Sequence, residues 1–254
     1  MSQIHRHIRF LPLNQLKEKA VDLSLFAYPS GESERVSEVL RELELLGLAG
    51  IGVAESTGKL APFLLGKGGR GMVFLGLVDE ACVAVKVART DAAVPTMEQE
   101  ATHLRKANTV NVGPKLFNHS THIIVMEYVE GETLAEFITT KSRIEIAEIV
   151  EQVLDQAHLL DKIHLDHGQL SNSSDHVIIS PRGKPCIIDY SHSSQQRKPR
   201  NVTAFTSYLI RTILRERRND PTLLTLLKQY KEKQDETSYA MLKETVTRLI
   251  SLLE

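Results

Sequence analysis

Apolar and polar positions divide the chain into a first half with the pattern of strands and a second half with the pattern of helices. Runs rich in β-branched residues, bounded by glycine or turn residues, predict five strands before residue 131. One helix interrupts them, because Pro95 suits a first helical turn and four apolar residues follow at helical spacing. The predicted strands are Leu60–Leu65, Met72–Val78, Ala81–Ala88, Lys115–Asn118 and His122–Tyr128.

After Gly131 the apolar positions recur every three or four residues, which predicts a mostly helical region. A short hairpin is predicted within it, and the residues that precede the sheet also have a helical pattern. The predicted helices are Leu13–Phe26, Ser33–Leu46, Thr133–Thr140, Ile144–Ile163 and much of 201–254, and the hairpin pairs Val177–Ser180 with Pro185–Asp189.

Three parts follow from this pattern. Residues 1–55 form either a small helical domain or a brace on the back of the sheet, and the pattern leaves both open. Residues 56–130 carry the sheet, and residues 131–254 carry the helices. A strand-rich part followed by a helix-rich part predicts an α+β protein of two lobes with a cleft at their joint.

Three glycines, Gly66, Gly68 and Gly71, have the GxGxxG spacing, which by itself is weak evidence for nucleotide binding. In a dinucleotide-binding fold these glycines open a helix, whereas here a β-rich run follows them. A second β-branched run then carries Lys86 in its middle. Kinases cover nucleotide phosphates with elements in this same order: a strand, a glycine loop, a second strand, a turn, and a third strand with a central lysine. The alternative is a tight hairpin between two surface strands.

Lys86 lies in an otherwise apolar run, where an unpaired ammonium group is costly. The predicted helix that follows offers two acidic partners. Glu100 is the first choice for an ion pair with Lys86, and Glu98 is the alternative. Either glutamate could instead be a solvated residue in an acidic first helical turn.

Composition restricts the class of protein. The 254 residues carry a formal net charge of −1, with 42% hydrophobic and 25% charged residues, so nothing draws the chain as a whole to nucleic acid or to an anionic membrane. Cys82 and Cys186 lie in separate apolar runs and favour reduced thiols. No stretch is long enough to span a membrane, and Met1–Phe10 lacks the apolar core of a signal peptide. These features predict a cytoplasmic protein.

Gly66–Asp189 resembles a protein-kinase core, and Ile124–Leu134 matches the kinase hinge closely. In size it is similar to the small atypical serine/threonine kinases of the RIO and KEOPS-associated type and to predicted archaeal kinases related to them. The resemblance implies a two-lobed α+β fold with a five-stranded antiparallel sheet and one helix in the first lobe, a mostly helical second lobe, and an N-terminal helical extension.

The same resemblance implies an ATP site. The gatekeeper would be Met126, and the backbone of Glu127 and Val129 would read the adenine edge. Lys86 and Glu100 would hold the α/β-phosphates, and the glycines would let backbone N–H groups approach the phosphates. The residues implied to bind ATP are Gly66, Lys67, Gly68, Gly69, Gly71, Val73, Ala84, Lys86, Met126, Glu127 and Val129.

Asp189 ends a short apolar strand, which is where kinases place the carboxylate that binds Mg²⁺. Residues 163–179 resemble the catalytic loop of the small atypical kinases and are called the catalytic loop below. They depart from the family pattern, since Gln169 stands where the catalytic aspartate is expected. The second metal ligand is expected thirteen residues before Asp189, and His176 occupies that position. Imidazole suits Mn²⁺ better than Mg²⁺, so the metal is Mg²⁺ or Mn²⁺.

A glutamine cannot accept a proton as a carboxylate does, so the loop needs a substitute base. Asp166 and Asp175 are the two candidates, and Asp175 is also an alternative metal ligand. Either could instead be a solvated loop residue. A zinc site formed by His164, His167 and His176 is conceivable, although its spacing matches no familiar zinc motif.

Basic residues concentrate in the Arg197–Arg218 region, which could face RNA or an acidic partner; solvated helix faces are the alternative. Three functions remain open. The first is an atypical serine/threonine kinase, which could phosphorylate itself and whose protein substrate the sequence does not identify. The second is a catalytically weak pseudokinase or an ATPase switch. The third is an adaptor whose glycine loop contacts only protein.

Overall fold

The computed structural model describes residues 8–56, 58–93 and 96–253. These residues fall into two compact units, drawn from Met1–Thr102 with Lys115–Tyr128 and from His103–Pro114 with Val129–Glu254. Pro95, predicted to open a helix, lies outside the described residues, as does most of the Met1–Phe10 segment. The chain is an α+β protein in which an antiparallel sheet precedes a mostly helical region.

Within the described residues, the sheet of the first unit has eight antiparallel strands, where five are predicted. The order is β1-β2-β5-β6-β8-β7, with β3 paired to β2 and β4 paired to β5. The strands are β1 (Arg9–Pro12), β2 (Gly50–Ser56), β3 (Lys59–Pro62), β4 (Leu64–Lys67), β5 (Gly71–Val78), β6 (Ala81–Ala88), β7 (Leu116–His119) and β8 (Ile123–Glu127).

The additional strands have two origins. The predicted strand Leu60–Leu65 is divided at Phe63, so that β3 and β4 pair with different neighbours. Strands β1 and β2 come from the segment predicted to be helical, and the predicted boundary at residue 55 falls inside β2. Gly50 makes their pairing possible, because a Cβ atom there would lie 2.6 Å from the carbonyl oxygen of Leu11. A short, glycine-rich strand of this kind carries little β signal in the sequence.

The predicted helix Leu13–Phe26 is only one helical turn, α1 (Gln15–Glu18), and a later 3₁₀ turn at Ser24–Ala27. Ala20 has a left-handed backbone with φ +49°, which ends helical geometry between them. The next helix, α2 (Ser33–Leu45), agrees with its predicted range and buries Val39, Leu40 and Leu43 in the core that also holds Phe74 of β5. The structure therefore favours the brace interpretation of the N-terminal segment.

The second unit is built from helices and a small three-stranded sheet, and the division between the units falls inside α3 (Glu98–Asn108). Thr133 and Ser142 each form a capping box with the glutamate three residues later, which fixes where two helices begin. The other elements are β9 (Glu132–Thr133), α4 (Leu134–Thr140), α5 (Arg143–Lys162), β10 (Val177–Ile179), β11 (Pro185–Ile187), α6 (Asn201–Thr212), α7 (Pro221–Lys233) and α8 (Glu236–Ser251).

Among the residues that the structure describes, no helix is both long enough and apolar enough to cross a membrane.

One carboxylate attaches α2 to the sheet. Glu42 accepts hydrogen bonds from the Ser120 hydroxyl and from the backbone N–H of His122 at 3.1 Å, and its Oε1 lies 2.5 Å from Nδ1 of His122. These hydrogen bonds hold the pKa of Glu42 below its usual value despite partial burial, which opposes them. The contacts fix the turn between β7 and β8 against the helix.

We expect Glu42→Ala to lower the free energy of unfolding by about 2–3 kcal/mol, because several charge-assisted hydrogen bonds are lost together. Urea unfolding measures the change. Glu44→Ala is the matched control, since Glu44 lies exposed on the same helix and should change stability by less than about 0.5 kcal/mol. Equal effects of the two substitutions would contradict the anchoring role of Glu42.

Candidate functional site

Lys86 lies in β6 between β5 and β8, with Val73 and Ile124 as its register partners. Its side chain is 3% exposed, and its Nζ atom lies 2.6 Å from Oε1 of Glu100, which is 8% exposed. The structure therefore brings together the two residues that the sequence paired. Glu98, the alternative partner, is exposed on α3.

The glycine loop joins β4 to β5 and closes on itself through a hydrogen bond from the Gly68 N–H to the Gly71 carbonyl, at 2.9 Å. Gly71 lies against the Lys86 side chain, because a Cβ atom there would be 3.0 Å from Cγ and Cε of Lys86. Gly66 and Gly69 have open space at the corresponding positions among the described residues. Among these three glycines, close packing therefore restricts only Gly71; Gly66 is half-buried and Gly69 is exposed.

The residues implied to contact adenine lie at the end of β8. In the sheet, Met126 pairs with Ala84, and Glu127 pairs with Val83 of the same strand. The Glu127 N–H donates to the Lys115 carbonyl at 2.8 Å, and its side chain accepts from the Lys115 N–H at 3.1 Å. These bonds fix the backbone at the strand end, and Val129, the last of the implied adenine contacts, begins the next part of the second unit.

In the second unit, a buried polar group holds the start of the catalytic loop. Asn201, the first residue of α6, accepts a hydrogen bond from the His167 N–H at 2.8 Å and donates to the Leu165 carbonyl at 2.7 Å. Asp161 in turn accepts from the Asn201 backbone and side chain, both at 2.8 Å, and from the Tyr230 hydroxyl at 2.9 Å. Burial raises the pKa of Asp161, and these hydrogen bonds oppose the rise.

His167 is fully buried, and its Nε2–H donates to the Ile188 carbonyl at 3.0 Å. Its ring packs edge-to-face on Tyr190, with centroids 5.0 Å apart. Burial lowers the pKa of His167 to about 4, so the ring is neutral at pH 7. Tyr190 packs in turn on Gly113, where a Cβ atom would lie 2.8 Å from the ring. His167 is therefore a structural residue that connects the catalytic loop to the segment carrying Asp189.

Asp166 is buried, and its carboxylate is already engaged. Its Oδ2 lies 2.9 Å from Nε of Arg197, and its Oδ1 accepts from the Arg200 N–H at 3.3 Å. Both carboxylate oxygens of Asp166 are therefore held by the segment that carries Arg197 and Arg200. The sequence offered Asp166 as a substitute base, whereas these contacts give it a structural role.

The two remaining candidates in the catalytic loop have different surroundings. Gln169 is half-buried, and its Oε1 atom has no hydrogen-bond partner within the described part of the chain. Asp175 is exposed. The Oε1 atom of Gln169 is itself buried from solvent, whereas the Asp175 side chain is open to solvent.

Asp189 has a left-handed backbone with φ +66°, and its Oδ1 accepts from the Ser191 N–H at 3.2 Å. Its Oδ2 lies 3.9 Å from Nε2 of His176. His176 Nδ1 must donate to the Asn172 carbonyl, 2.7 Å away, because a carbonyl oxygen only accepts. In the neutral ring, Nε2 therefore presents its lone pair beside a carboxylate oxygen.

Two such donors fit one divalent cation, which would take its other ligands from phosphate and water, as Mg²⁺ and Mn²⁺ commonly do. Among the described residues, no group of three or more His, Cys, Asp and Glu side chains could hold a metal ion by itself. The zinc site conceived from His164, His167 and His176 is therefore also not formed, because these three described side chains do not make up such a group.

The basic region is partly structural. Arg197 contacts Asp166 and donates to the His192 carbonyl at 2.6 Å, and Lys198 donates to the Lys231 carbonyl at 3.0 Å. Arg211 donates to the carbonyl of Ser171 in the catalytic loop. Several of these side chains therefore hold backbone carbonyls instead of forming one open basic surface.

Sequence reasoning missed the residues that support the site, above all Asn201, Asp161 and Gly113. Asn201 was the one with a usable sequence signal, since it follows Pro199 at the start of a predicted helix, where a capping residue is expected. Its contacts with residues 34 and 40 positions earlier have no local signal.

The sheet with its buried Lys–Glu pair and glycine loop, and the helical unit with its aspartate after a short hairpin, define a protein-kinase-like α+β fold. The sequence model of the RIO domain family matches residues 81–215, which is more than half of the chain. The chain therefore belongs to the RIO family of atypical kinases.

Three curated kinases are also similar. The chain is 24% identical over 151 residues to Serine/threonine-protein kinase YabT of Bacillus subtilis, covering 56% of this chain and 45% of that protein. It is 27% identical over 139 residues to the Probable serine/threonine-protein kinase PknB of Lactococcus lactis, covering 50% and 22%. It is 28% identical over 137 residues to Mitogen-activated protein kinase kinase kinase dlk-1 of Caenorhabditis elegans, covering 53% and 14%. The chain thus spans less than half the length of each relative.

We expect Glu100→Gln to destabilise the protein by about 3 kcal/mol, because it removes the carboxylate that faces a buried ammonium. The double substitution Lys86→Met with Glu100→Leu should recover most of that loss, since neither charge is then buried. Urea unfolding of both variants measures the effect. If the double variant were as unstable as Glu100→Gln, the loss could not be attributed to an unpaired buried charge, and this explanation of the pair would be contradicted.

We expect acid to destabilise the protein partly through His167. Its pKa of about 4 in the folded state lies below the unfolded value, so the unfolded state binds more protons as the pH falls below about 6.5. Between pH 7 and pH 5 this histidine should cost about 2 kcal/mol of stability. His167→Gln removes the titration but keeps a donor for the Ile188 carbonyl, so its stability should fall less over that interval. Parallel pH profiles would contradict this assignment.

Proposed function

We propose that this RIO-family chain is an ATP-dependent atypical serine/threonine protein kinase that transfers phosphate to a hydroxyl group, and that its acceptors include its own side chains. The observation that carries the proposal is the buried contact between Lys86 and Glu100 beside the glycine loop. A buried ion pair is expensive to form, and replacing such a pair by apolar residues is often neutral for stability. Its presence in the centre of the sheet therefore favours a role in binding phosphates.

In the first unit, Lys86 would contact the α/β-phosphates and the N–H groups of the glycine loop would approach them, from Gly66 through Lys67, Gly68 and Gly69 to Gly71. Val73 and Ala84 would contact the nucleotide base, Met126 would act as gatekeeper, and the backbone of Glu127 and Val129 would bind the adenine edge. Glu100 would hold the Lys86 ammonium in place.

In the second unit, Asp189 and His176 would hold the divalent cation. The cation supplies charge neutralisation for the phosphates when it is bound. Because imidazole is a softer donor than a carboxylate or an amide oxygen, we propose that Mn²⁺ serves at least as well as Mg²⁺. Asp175, exposed in the same loop, is the remaining candidate for a base or a further ligand.

Gln169 supports a second candidate function, an ATPase switch or weak pseudokinase. A neutral amide cannot take the proton of an attacking hydroxyl, but it can orient a water molecule, which is the use that GTPases make of a glutamine. The Oε1 atom of Gln169, which is buried and has no hydrogen-bond partner among the described residues, would accept a hydrogen bond from such a bound water. Release of inorganic phosphate without labelled protein would favour this function over the kinase.

The protein substrate is open. The exposed arginines near Arg211 are compatible with an acidic partner or RNA, although no aromatic residues interleave with them for base stacking. We also propose that the protein is located in the cytoplasm, because its two cysteine thiols lie in separate strands and suit a reducing compartment.

Two measurements test this function. ATP with Mn²⁺ should raise the melting temperature of the wild-type protein by several degrees, because a ligand that binds only the folded state stabilises it. Radiolabelled γ-phosphate should then appear on the protein or on a generic substrate. Asp189→Ala should reduce transfer at least about a hundredfold, since it removes the principal metal ligand. Undiminished transfer in this variant would contradict the metal assignment.

His176→Asn is the matched variant for metal preference. An amide oxygen is a harder donor than imidazole, so the ratio of Mg²⁺ affinity to Mn²⁺ affinity should rise several-fold. Titration of Mn²⁺ by electron paramagnetic resonance, with Mg²⁺ as competitor, measures this ratio without any turnover. An unchanged ratio would exclude His176 as a ligand.

A further inference from the structure

A side chain from the N-terminal segment contacts the glycine loop. The Tyr28 hydroxyl accepts a hydrogen bond from Lys67 Nζ at 2.7 Å, and the Lys67 ammonium also lies 4.1 Å from the centre of the Tyr28 ring. The carbonyl of Tyr28 accepts from the N–H of Thr90 at 2.9 Å and from its hydroxyl at 3.3 Å. Tyr28 is thus bonded both to the end of β4 and to the segment that follows β6.

Arg89 lies on the other side of this contact. Its guanidinium donates to the Gly68 carbonyl at 3.2 Å, and its backbone N–H donates to the Arg70 carbonyl at 3.0 Å. The guanidinium also lies 4.9 Å from the centre of the Tyr28 ring. Asp91 holds it in place through two further bonds, from Nε at 2.8 Å and from Nη2 at 2.7 Å. The guanidinium and the backbone N–H of Arg89 therefore hold the loop backbone at Gly68 and at Arg70.

These contacts reduce the conformational entropy that the glycine loop would lose when it binds a ligand. Glycine loses more conformational freedom on ordering than any other residue, so a loop with four glycines in six residues orders at a high entropic cost. A loop already held in one shape loses less entropy when a ligand binds. A planar guanidinium anchored by a bidentate carboxylate has the geometry for this task, whereas an ammonium does not.

We propose that Tyr28, Arg89 and Asp91 form a clasp that positions the glycine loop for phosphate binding, so that the N-terminal segment belongs to the nucleotide site. This inference rests on the proposed ATP binding. The three residues act through the loop backbone and through Lys67, which makes them positioning residues.

The competing explanation is electrostatic, with Arg89 attracting phosphates by its charge alone. The two explanations predict opposite changes in ATP affinity for Asp91→Asn. Removing an acid beside the loop tightens ATP binding if charge decides, but it weakens binding if Asp91 anchors Arg89. They also differ for Arg89→Lys, which keeps the charge and loses the planar fork.

The experiment measures amide hydrogen exchange of residues 66–71 without nucleotide, and the affinity for a fluorescent ATP analogue, in Asp91→Asn, Arg89→Lys and Tyr28→Phe. We expect faster exchange in the loop and about three- to tenfold weaker nucleotide binding for Asp91→Asn and Arg89→Lys. Tyr28→Phe keeps the ring and loses only the hydroxyl bond, so its effect should have the same direction and a smaller size. A melting temperature close to that of the wild type shows that each variant is folded.

Phe117→Ala is the matched control. Phe117 is a half-exposed aromatic residue of the same unit with Lys115 5.8 Å from its ring centre, and its substitution should leave exchange in the loop unchanged. Tighter ATP binding by Asp91→Asn, or wild-type loop exchange in Asp91→Asn and Arg89→Lys, would overturn the clasp. A wild-type protein that binds no ATP overturns the proposed function and the nucleotide role of the clasp, and exchange without nucleotide still decides whether the clasp holds the loop.

Discussion

The ion pair between Lys86 and Glu100 is the constraint on which the rest of the first unit depends. A lysine that is 3% exposed is tolerated only with a charged partner at hydrogen-bonding distance. That requirement fixes β6 in the middle of the sheet and the first turns of α3 against it. It also explains Gly71, since any side chain at that position would collide with the aliphatic part of Lys86.

In the second unit, too, buried polar groups are paired with one another, and these pairs hold the catalytic loop. Asn201 and Asp161 are buried polar residues whose hydrogen-bonding groups are used on one another, on α6 and on the backbone of residues 165 and 167. Buried groups satisfied in this way rigidify their surroundings. Neutral His167 extends the same network to the Ile188 carbonyl, one residue before Asp189. Buried polar contacts therefore fix the backbone of this loop at residues 165 and 167 and the backbone just before Asp189.

What the sequence could predict was local. The lysine strand, the helix with Glu100 and the strand ending at Asp189 each have a pattern within about ten residues, and the α+β kinase-like fold follows from their order. The strands β1 and β2, the salt bridge of Asp166 with Arg197 and the contact of Tyr28 with Lys67 join residues about 30 to 40 positions apart. Such pairs leave no local periodicity, and Gly50 and Gly52 weaken the strand signal that Ile51 and Val53 give to β2.

The catalytic loop differs from the kinase pattern in a selective way. Phosphoryl transfer passes through a loose transition state, so positioning and charge neutralisation matter more than removal of the acceptor's proton. Under the proposed function, Lys86 with Glu100 and Asp189 with His176 would serve the first two tasks, and a neutral amide, Gln169, stands where the base is expected. Gln169 can still accept a hydrogen bond from a hydroxyl or a water. Under the proposed function, the chain would therefore lack only the least demanding part of this chemistry. The group that Gln169 would orient, a hydroxyl or a water, would then distinguish a kinase from an ATPase.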